Sequence, residues 1–527
     1  KAYPTIRCSD DEMVLDSLYT SFRYQGGLQV KGSNIRGISK VDAFATMEVI
    51  REDTVFMRFQ FEEATLSQKG WNGIRSQMEL YYAGDTLSHP DCDVRYENHN
   101  GVIAVTRQQE GLGQQAFVDR YHNLEWNVEG FTWKLGQPQI EIGFPLIADA
   151  KAGTFLSFNY FEKQTFDRLQ GIDPIHPVVE LYRFVKSSGL TSFTSIDYAY
   201  YIKLSEVQAQ IALMNLANAG YVDYDVDQKV ARVLDRTFKH MGYATNKKDH
   251  DMIRFYSAPK KGNNAEWSLL NGFMQINGVD QLVLSNSRGI AIMPDNKEVT
   301  VSKDLNMVLS GMVDAGNIRM RGTGMHFDYE RFTIDFRKIE EVRLSINDFE
   351  TLDYRGEPQK IWLKNALENI SGELTIDHPG NRSGKWSVNH PSYPKFTSNE
   401  TSFVYYDSPT LYNGAYKRDS FYYAVRPFEL KGLDQLTREN LKLDGSLVSS
   451  GIVPEIERPL VVMPDNYLGL TSITPPAGTE LYEGSAKFTS SLSLDGAGLR
   501  GDGVIDFLSA HAEGEALVFL PDSIIGP

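Results

Sequence analysis

The sequence predicts a mainly β protein with one inserted helical module. Short runs of alternating apolar and polar residues fill 1–170 and 246–527, and this period of two is typical of half-buried strands. Aromatic residues make up 12% of the chain, an excess that suits pleated surfaces. Only 176–241 shows helical spacing. We therefore predict a β-rich domain over 1–170, a winged-helix-like module over 171–245, and a β-rich region of one or two subdomains over 246–527.

The first β region shows its strands as apolar runs separated by turn signals. Its clearest strands are predicted at 47–50, 55–61, 78–82, 102–105 and 126–135. Gly26-Gly27, Asn72-Gly73 and Asn100-Gly101 stand between such runs. Because Asn-Gly supplies the positive φ of a hairpin turn, we predict turns at these three positions.

The helical module is predicted from capping signals. A first helix runs from Val178 until Ser187, Ser188 and Gly189 end its pattern, and a second apolar run follows over 196–202. Ser205 and Gln208 form a capping box for a third helix, which ends at Gly220. Strands over 221–224 and 230–234 then form a hairpin. This order is that of a winged helix.

Charge argues against DNA binding by this module. No Lys or Arg occurs between Ser205 and Ala219, and the hairpin carries Asp223, Asp225 and Asp227. Such a surface repels phosphates, which DNA-binding helices must neutralise. We predict a packing or protein-docking module and no nucleic-acid partner. The three aspartates imitate the start of a calcium loop, but Gln228 and Leu234 replace the required Gly and Glu.

The second β region carries further strands, with a segment near Trp362–Asn369 predicted as one or two helical turns. Related phrases recur, such as Asn34-Ile35-Arg36-Gly37 with Gly498-Leu499-Arg500-Gly501, and Met293-Pro294-Asp295-Asn296 with Met463-Pro464-Asp465-Asn466. One interpretation is similar corners between similar strands. The other is an elongated stack of antiparallel sheets, solenoid-like or forming a groove.

No catalytic, cofactor or metal site is predicted. The ten histidines are scattered, and neither a G-x-S-x-G elbow nor a phosphate-binding glycine loop is present. The one setting with catalytic potential places Glu125, Glu129 and Glu141 among Trp126, Phe131 and Trp133, where carboxylates and aromatic rings would suit a glycan. The alternation instead favours aromatic rings in the core and glutamates in water.

The composition of the chain argues against some classes of binding partner. The net charge of -16 disfavours nucleic acid and anionic membranes, and no run of 18 apolar residues predicts a transmembrane helix. Cys8 and Cys92 allow one disulfide or none. The chain opens with Lys1 rather than Met, so we expect a processed product or a piece of a longer chain.

Five segments are distinctive: Phe161–Asp173, Val283–Pro294, Asp314–Asp328, Leu494–Pro521 and Tyr416-Lys417-Arg418-Asp419. They resemble a family of long, uncharacterised exported envelope proteins of Bacteroidota-type bacteria. The resemblance implies a β-rich protein of the periplasm or outer membrane, with no catalytic residues to carry over. In the general pattern of its strands, though without a shared motif, the chain is also similar to the β-groove proteins that carry lipid across the periplasm.

Together these observations predict a non-catalytic structural or assembly component of the cell envelope, whose partners are other envelope proteins. Two alternatives remain open. One is a periplasmic groove that binds or transports lipid, and the other is a glycan-binding or glycan-degrading enzyme.

Overall fold

The computed structural model describes residues 4–40, 43–108, 111–144, 152–171, 173–226, 228–352, 354 and 356–526, and for 9–12 the backbone alone. Strands hold 51% of the residues and helices 13%, so the predicted mainly β class with large antiparallel sheets is confirmed. The chain forms two compact units. Unit 1 is Lys1–Leu284 with Asn296–Val308, and unit 2 is Ser285–Asp295 with Leu309–Pro527. The three-part division and the elongated or groove arrangement stay predictions.

Unit 1 begins with strands only. They are β1 Thr5–Leu18, β2 Phe22–Lys31, β3 Asn34–Ile38, β4 Ala45–Arg51, β5 Thr54–Phe61, β6 Glu63–Ser67, β7 Gly70–Tyr82, β8 Asp85–Glu97, β9 Val102–Arg107, β10 Phe117–Asp119, β11 Leu124–Asn127, β12 Gly130–Lys134, β13 Gln139–Ile142 and β14 Gly153–Ser157.

Six of these strands close into a ring. In the order β2, β4, β5, β7, β6, β3 and back to β2, each strand pairs antiparallel with the next. Alternate side chains point inward and are fully buried, among them Tyr24, Met47, Phe59 and Trp71. The period of two in the sequence therefore marks the inside of this ring.

Two of the three predicted turns are wrong. Gly26-Gly27 lies inside β2, and Asn72-Gly73 lies inside β7. These glycines make room for buried rings: a Cβ on Gly26 would lie 2.7 Å from the Tyr24 hydroxyl, and one on Gly73 would lie 3.0 Å from the Trp71 ring. Asn100-Gly101 is a turn as predicted, between β8 and β9, and Gly101 has a φ of 67°.

The helices follow β14. They are α1 Lys163–Arg168, α2 Pro177–Ser188, α3 Ser195–Ile202, α4 Glu206–Asn218 and α5 Asp235–Ala244, with strands β15 Ser192–Thr194, β16 Val222–Asp225 and β17 Val230–Val233 among them. The chain then returns to strands, with β18 Arg254–Ser257, β19 Ala265–Ser268, β20 Met274–Asn277, β21 Leu282–Ser285, β22 Ile290–Pro294 and β23 Glu298–Val301. Since β14 and β18 pair, with Leu156 opposite Arg254, the helical segment leaves and re-enters the sheet at neighbouring positions.

A second ring uses β8, β9, β12, β13, β19, β20, β18, β14, β11 and β10, with β10 pairing back to β8. Between β18 and the end of β20 the closure is a single bridge, Ser257 to Val279. Aromatic rings fill its interior: Trp267 lies perpendicular to Trp126 with centroids 6.1 Å apart. Beside them His122 donates from Nδ1 to Asp119 over 2.6 Å, and both side chains are fully buried.

The remaining strands are β24 Met307–Ala315, β25 Ile318–Asp328, β26 Thr333–Leu352, β27 Pro358–Trp362, β28 Leu367–Thr375, β29 Lys395–Ser398, β30 Ser402–Tyr405, β31 Phe421–Val425, β32 Glu429–Lys431, β33 Lys442–Leu443, β34 Gly445–Ser449, β35 Leu460–Val462, β36 Leu468–Ile473, β37 Thr479–Leu481, β38 Ala486–Asp495, β39 Gly498–Phe507, β40 Ala510–Phe519 and β41 Ile524–Ile525. The helical turns predicted near Trp362–Asn369 are wrong, because β27 and β28 take those residues to pair with β26.

A buried arginine holds the long connection from β28 to β29 in unit 2. The Arg288 guanidinium, 2% exposed, donates from Nε to Asp377 over 2.8 Å, and Asp377 is fully buried. Its Nη2 also donates to the carbonyl of His390 over 2.7 Å, and its Nη1 lies 3.5 Å from Asp434. Burial raises the pKa of Asp434, and Arg288 opposes that rise.

Cys8 and Cys92 are both free thiols. Cys92 is fully buried and donates from Sγ to the carbonyl of Ser76 over 3.2 Å, and burial raises the pKa of its thiol. Of the two alternatives for the cysteines, the structure therefore has no disulfide.

Candidate protein-docking site

The helical module has a core of its own. Buried side chains of α2, α3, α4 and the strands β15 to β17 meet there, including Leu181, Phe184, Phe193, Tyr198 and Leu213. The three strands form a small sheet in the order β15, β17, β16. The hairpin and the helix ends lie where the sequence predicts them, whereas the winged-helix assignment itself stays a prediction.

Capping fixes where α3 and α4 begin. Thr194 and Asp197 form a capping box for α3, and Ser205 and Gln208 form the predicted one for α4. Each box satisfies backbone donors that the first helical turn leaves free. The capping boxes therefore fix the residues at which α3 and α4 begin.

Helix α4 is apolar on both sides. Its inner side places Ala209, Leu213, Leu216 and Ala217 in the module core. Its outer side carries Val207, Ile211 and Met214, at helical spacing, with 65%, 49% and 37% of their surfaces exposed. A helix that is hydrophobic all round is normally buried on all sides.

Helix α3 extends this exposed surface. Ile196 and Tyr200 on α3 are 61% and 88% exposed, and Leu204, in the connection that follows α3, is 49% exposed. Together with Val207, Ile211 and Met214 they form what we call the apolar face. Six large apolar side chains exposed on two successive helices and their connection exceed the isolated surface residues of ordinary proteins and mark interaction sites.

The ionisable residues beside the apolar face are few and of both signs: Asp197, Lys203 and Glu206. The only ionisable residue of α4 is Glu206, whose Oε1 accepts from Lys229 Nζ over 2.9 Å, and this bond lowers the pKa of Glu206. On α3, Asp197 accepts from the Thr194 backbone and hydroxyl, and the two bonds lower its pKa. Each carboxylate is thus held by a partner inside the module.

Two hydrogen bonds and an ion pair are among the contacts that fasten the module to the rest of unit 1. Gln115 donates to the carbonyl of Ala217 over 3.2 Å, and Tyr243 donates to Asn159 over 3.2 Å. Arg236 of α5 forms an ion pair with Glu125 of β11. These contacts hold α4 and α5 at their inner sides and leave the apolar face open.

The module is expected to loosen in acid because half-buried His240 is held in its neutral form. Burial, then Arg236, His250 and Lys239, lower the pKa of His240 to about 3, and its Nδ1 lies 2.9 Å from the Tyr221 hydroxyl. In the unfolded chain the pKa is about 6.5. The unfolded state therefore binds more protons between these values, so stability present above pH 6.5 is lost as pH falls, by about 2–3 kcal/mol at pH 4.5.

Hydrogen exchange of α2 and α5 at pH 7 and pH 4.5 measures this loss. His240→Asn, which keeps a neutral acceptor for Tyr221, is expected to lose less stability across the same range. His99→Asn, at an exposed position, serves as the control and should keep the wild-type dependence. Equal exchange of α5 at both pH values would contradict the prediction.

The carboxylates and rings suggested for a glycan site do not meet in a groove. Trp126, Phe131 and Trp133 are buried, and Glu141, on the other face of β13, is exposed. Glu125 is engaged by Arg236. The buried rings therefore offer no stacking surface, as the alternation predicts, and the glycan-active alternative stays a prediction.

No metal centre emerges among the residues that the structure describes: they contain no group of three His, Cys, Asp or Glu side chains placed to share an ion. Of the imitated calcium loop, Asp227 lies outside the described residues, and Asp225 accepts from the Gln228 backbone as in an ordinary turn.

The apolar face had a signal in the sequence, since 207–217 is apolar at more positions than one face of a helix can hold.

Within the described part of the chain, no helix combines the length and the apolar character needed to cross a bilayer. Comparisons with models of protein families, with curated proteins and with solved structures find no match.

Proposed function

We propose that this protein is a non-catalytic assembly component that binds another protein through the apolar face of its helical module. The observation that carries the proposal is the outer side of α4, where Val207, Ile211 and Met214 stand exposed on a helix whose inner side is also apolar. Exposed apolar stripes at this spacing are the anchors by which helices bind partners.

The β strands of unit 1 supply the rigid support for such a site. Both rings are filled by their own buried side chains. Gln115, Glu125 and Asn159 of unit 1 contact the module and hold it in place. We place the protein in the cell envelope, in the periplasm or at the outer membrane, on the family resemblance alone. A periplasmic groove that binds or transports lipid stays the second proposal for this protein.

A photo-crosslinking amino acid at position 211 tests the proposal. In cells that make the full chain, we expect covalent protein adducts at this position. The same label at Ile74, 63% exposed on β7 of the same unit, is the matched control and should give few adducts. Adducts of equal yield at both positions, or adducts to lipid alone at 211, would refute binding of a protein at the apolar face.

A further inference from the structure

We infer that the occupant of the apolar face is a second copy of this chain, which pairs α4 against α4 and α3 beside it. This inference rests on the proposed function and names its partner. Three observations carry it: the area of the face, the small and balanced charge beside it, and its suitability for contact with itself.

The area is sufficient for a dimer. At their observed exposures, the six side chains of the apolar face present on the order of 600 Å² of surface. Two copies in contact would bury about twice that area, at the lower end of what specific protein interfaces bury. Val207, Ile211 and Met214 form one stripe along α4, and the side chains of two such stripes on antiparallel helices can pack as ridges into grooves.

Charge favours a second copy over other occupants. The chain carries a net charge of -16, which opposes association of two copies through most of their surface. The apolar face is the exception, since Lys229 pairs with Glu206, and Asp197 and Lys203 carry opposite charges in the same stretch. A basic protein would find no free carboxylate on α4 to select it. An anionic membrane would find no Lys or Arg between Ser205 and Ala219, although helices that lie in membrane interfaces are rich in them.

The polar neighbours of the face also suit self-contact. Asn215 is exposed and Asn218 half-buried at the C-terminal end of the stripe. An amide both donates and accepts hydrogen bonds, so it can pair with its own copy, which a carboxylate or an ammonium group cannot do. In a two-fold dimer the same patch serves both subunits, and such isologous dimers are the commonest oligomers.

Sedimentation equilibrium of the purified full chain tests this inference. We expect a dimer, with Ile211→Asp raising the dissociation constant on the order of 100-fold, because the two-fold axis introduces each substitution twice. Tyr200→Asp, at an 88% exposed position where folding is not at stake, should weaken the dimer as well. Ile74→Asp, the matched control, should leave it unchanged.

Disulfide formation locates the contact. In a Cys8→Ser background, Ile211→Cys lies nearest the axis and is expected to give a covalent dimer on oxidation, whereas Ile74→Cys is not. A monomeric wild-type chain at high concentration overturns the inference, and so does a dimer that survives both Asp substitutions. Flotation with phosphatidylethanolamine–phosphatidylglycerol vesicles, lost in Ile211→Asp, would assign the face to lipid and overturn it too. If the chain is monomeric while position 211 crosslinks to a different protein, the proposed function stands and the dimer alone is refuted.

Discussion

Arg288→Met is expected to destabilise unit 2 by about 3–5 kcal/mol, the usual cost of removing one partner of a buried ion pair. The substitution leaves the Asp377 carboxylate buried without its counter-ion and frees the carbonyl of His390. Asp434, whose pKa burial already raises, loses the nearby cation that opposes this rise. The connection from β28 to β29 should then detach first.

Hydrogen exchange of β28 and β29, followed by mass spectrometry, measures the loss without assuming that the two units unfold together. Arg288→Met with Asp377→Asn should recover part of the stability, because position 377 then carries no uncompensated charge. Arg321→Met is the matched control: Arg321 pairs with Asp295 at 46% and 39% exposure, and such pairs contribute about 0–1 kcal/mol. If Arg288→Met and Arg321→Met cost the same, the buried cluster has no structural role.

Trp267→Ala is expected to destabilise the second ring of unit 1 by a comparable amount, about 3–5 kcal/mol. Trp267 is 1% exposed, and its ring contacts those of Trp126, His122 and Tyr82 at centroid distances of 6.1, 5.2 and 5.2 Å. The alanine variant leaves a cavity at the centre of this aromatic packing. Denaturant unfolding, monitored through exchange of β19 and β11, reports the change.

Trp267→Phe separates packing from hydrogen bonding. The Trp267 Nε1 has no hydrogen-bond partner among the residues that the structure describes, so phenylalanine removes an unsatisfied donor while it keeps most of the ring. We expect a loss well below that of the alanine variant. Glu266→Gln, on the opposite face of β19, controls for changes in the strand itself and should be near neutral. A Trp267→Phe variant as unstable as Trp267→Ala would contradict this account.

Local patterns carried most of the secondary structure. Alternation predicted β4, β5, β9 and β12, and the capping box at Ser205 predicted where α4 begins, because both signals arise between residues close in sequence. The turn at Asn100-Gly101 belongs to the same class. Asn72-Gly73 has the same letters, yet Trp71 packs over Gly73 inside a strand. Tertiary packing, which no local pattern reveals, decided that case.

Contacts between residues far apart in the chain could not be predicted from the sequence, for the same reason. Arg288 meets Asp377 across 89 positions, and nothing near either residue announces the pair. The closure of the two rings depends on pairings such as β3 with β6 and β13 with β19, which alternation permits but does not specify. For the candidate site, the sequence showed a helix with one charged residue and more apolar positions than one face can hold. Only the fold could show which side of that helix is exposed.

The insertion of the module between β14 and β18 has a consequence for how the chain acquires its structure. The six-stranded ring uses contacts within 22–82, whereas the second ring joins β13 to β19 across the whole module. Folding rates fall as the sequence separation of contacts grows. During synthesis the first ring and the module can therefore fold before the last strands of the second ring have been made. A defect in the module that delays the meeting of β14 and β18 would leave sheet edges exposed to aggregation, even though every residue of those strands is intact.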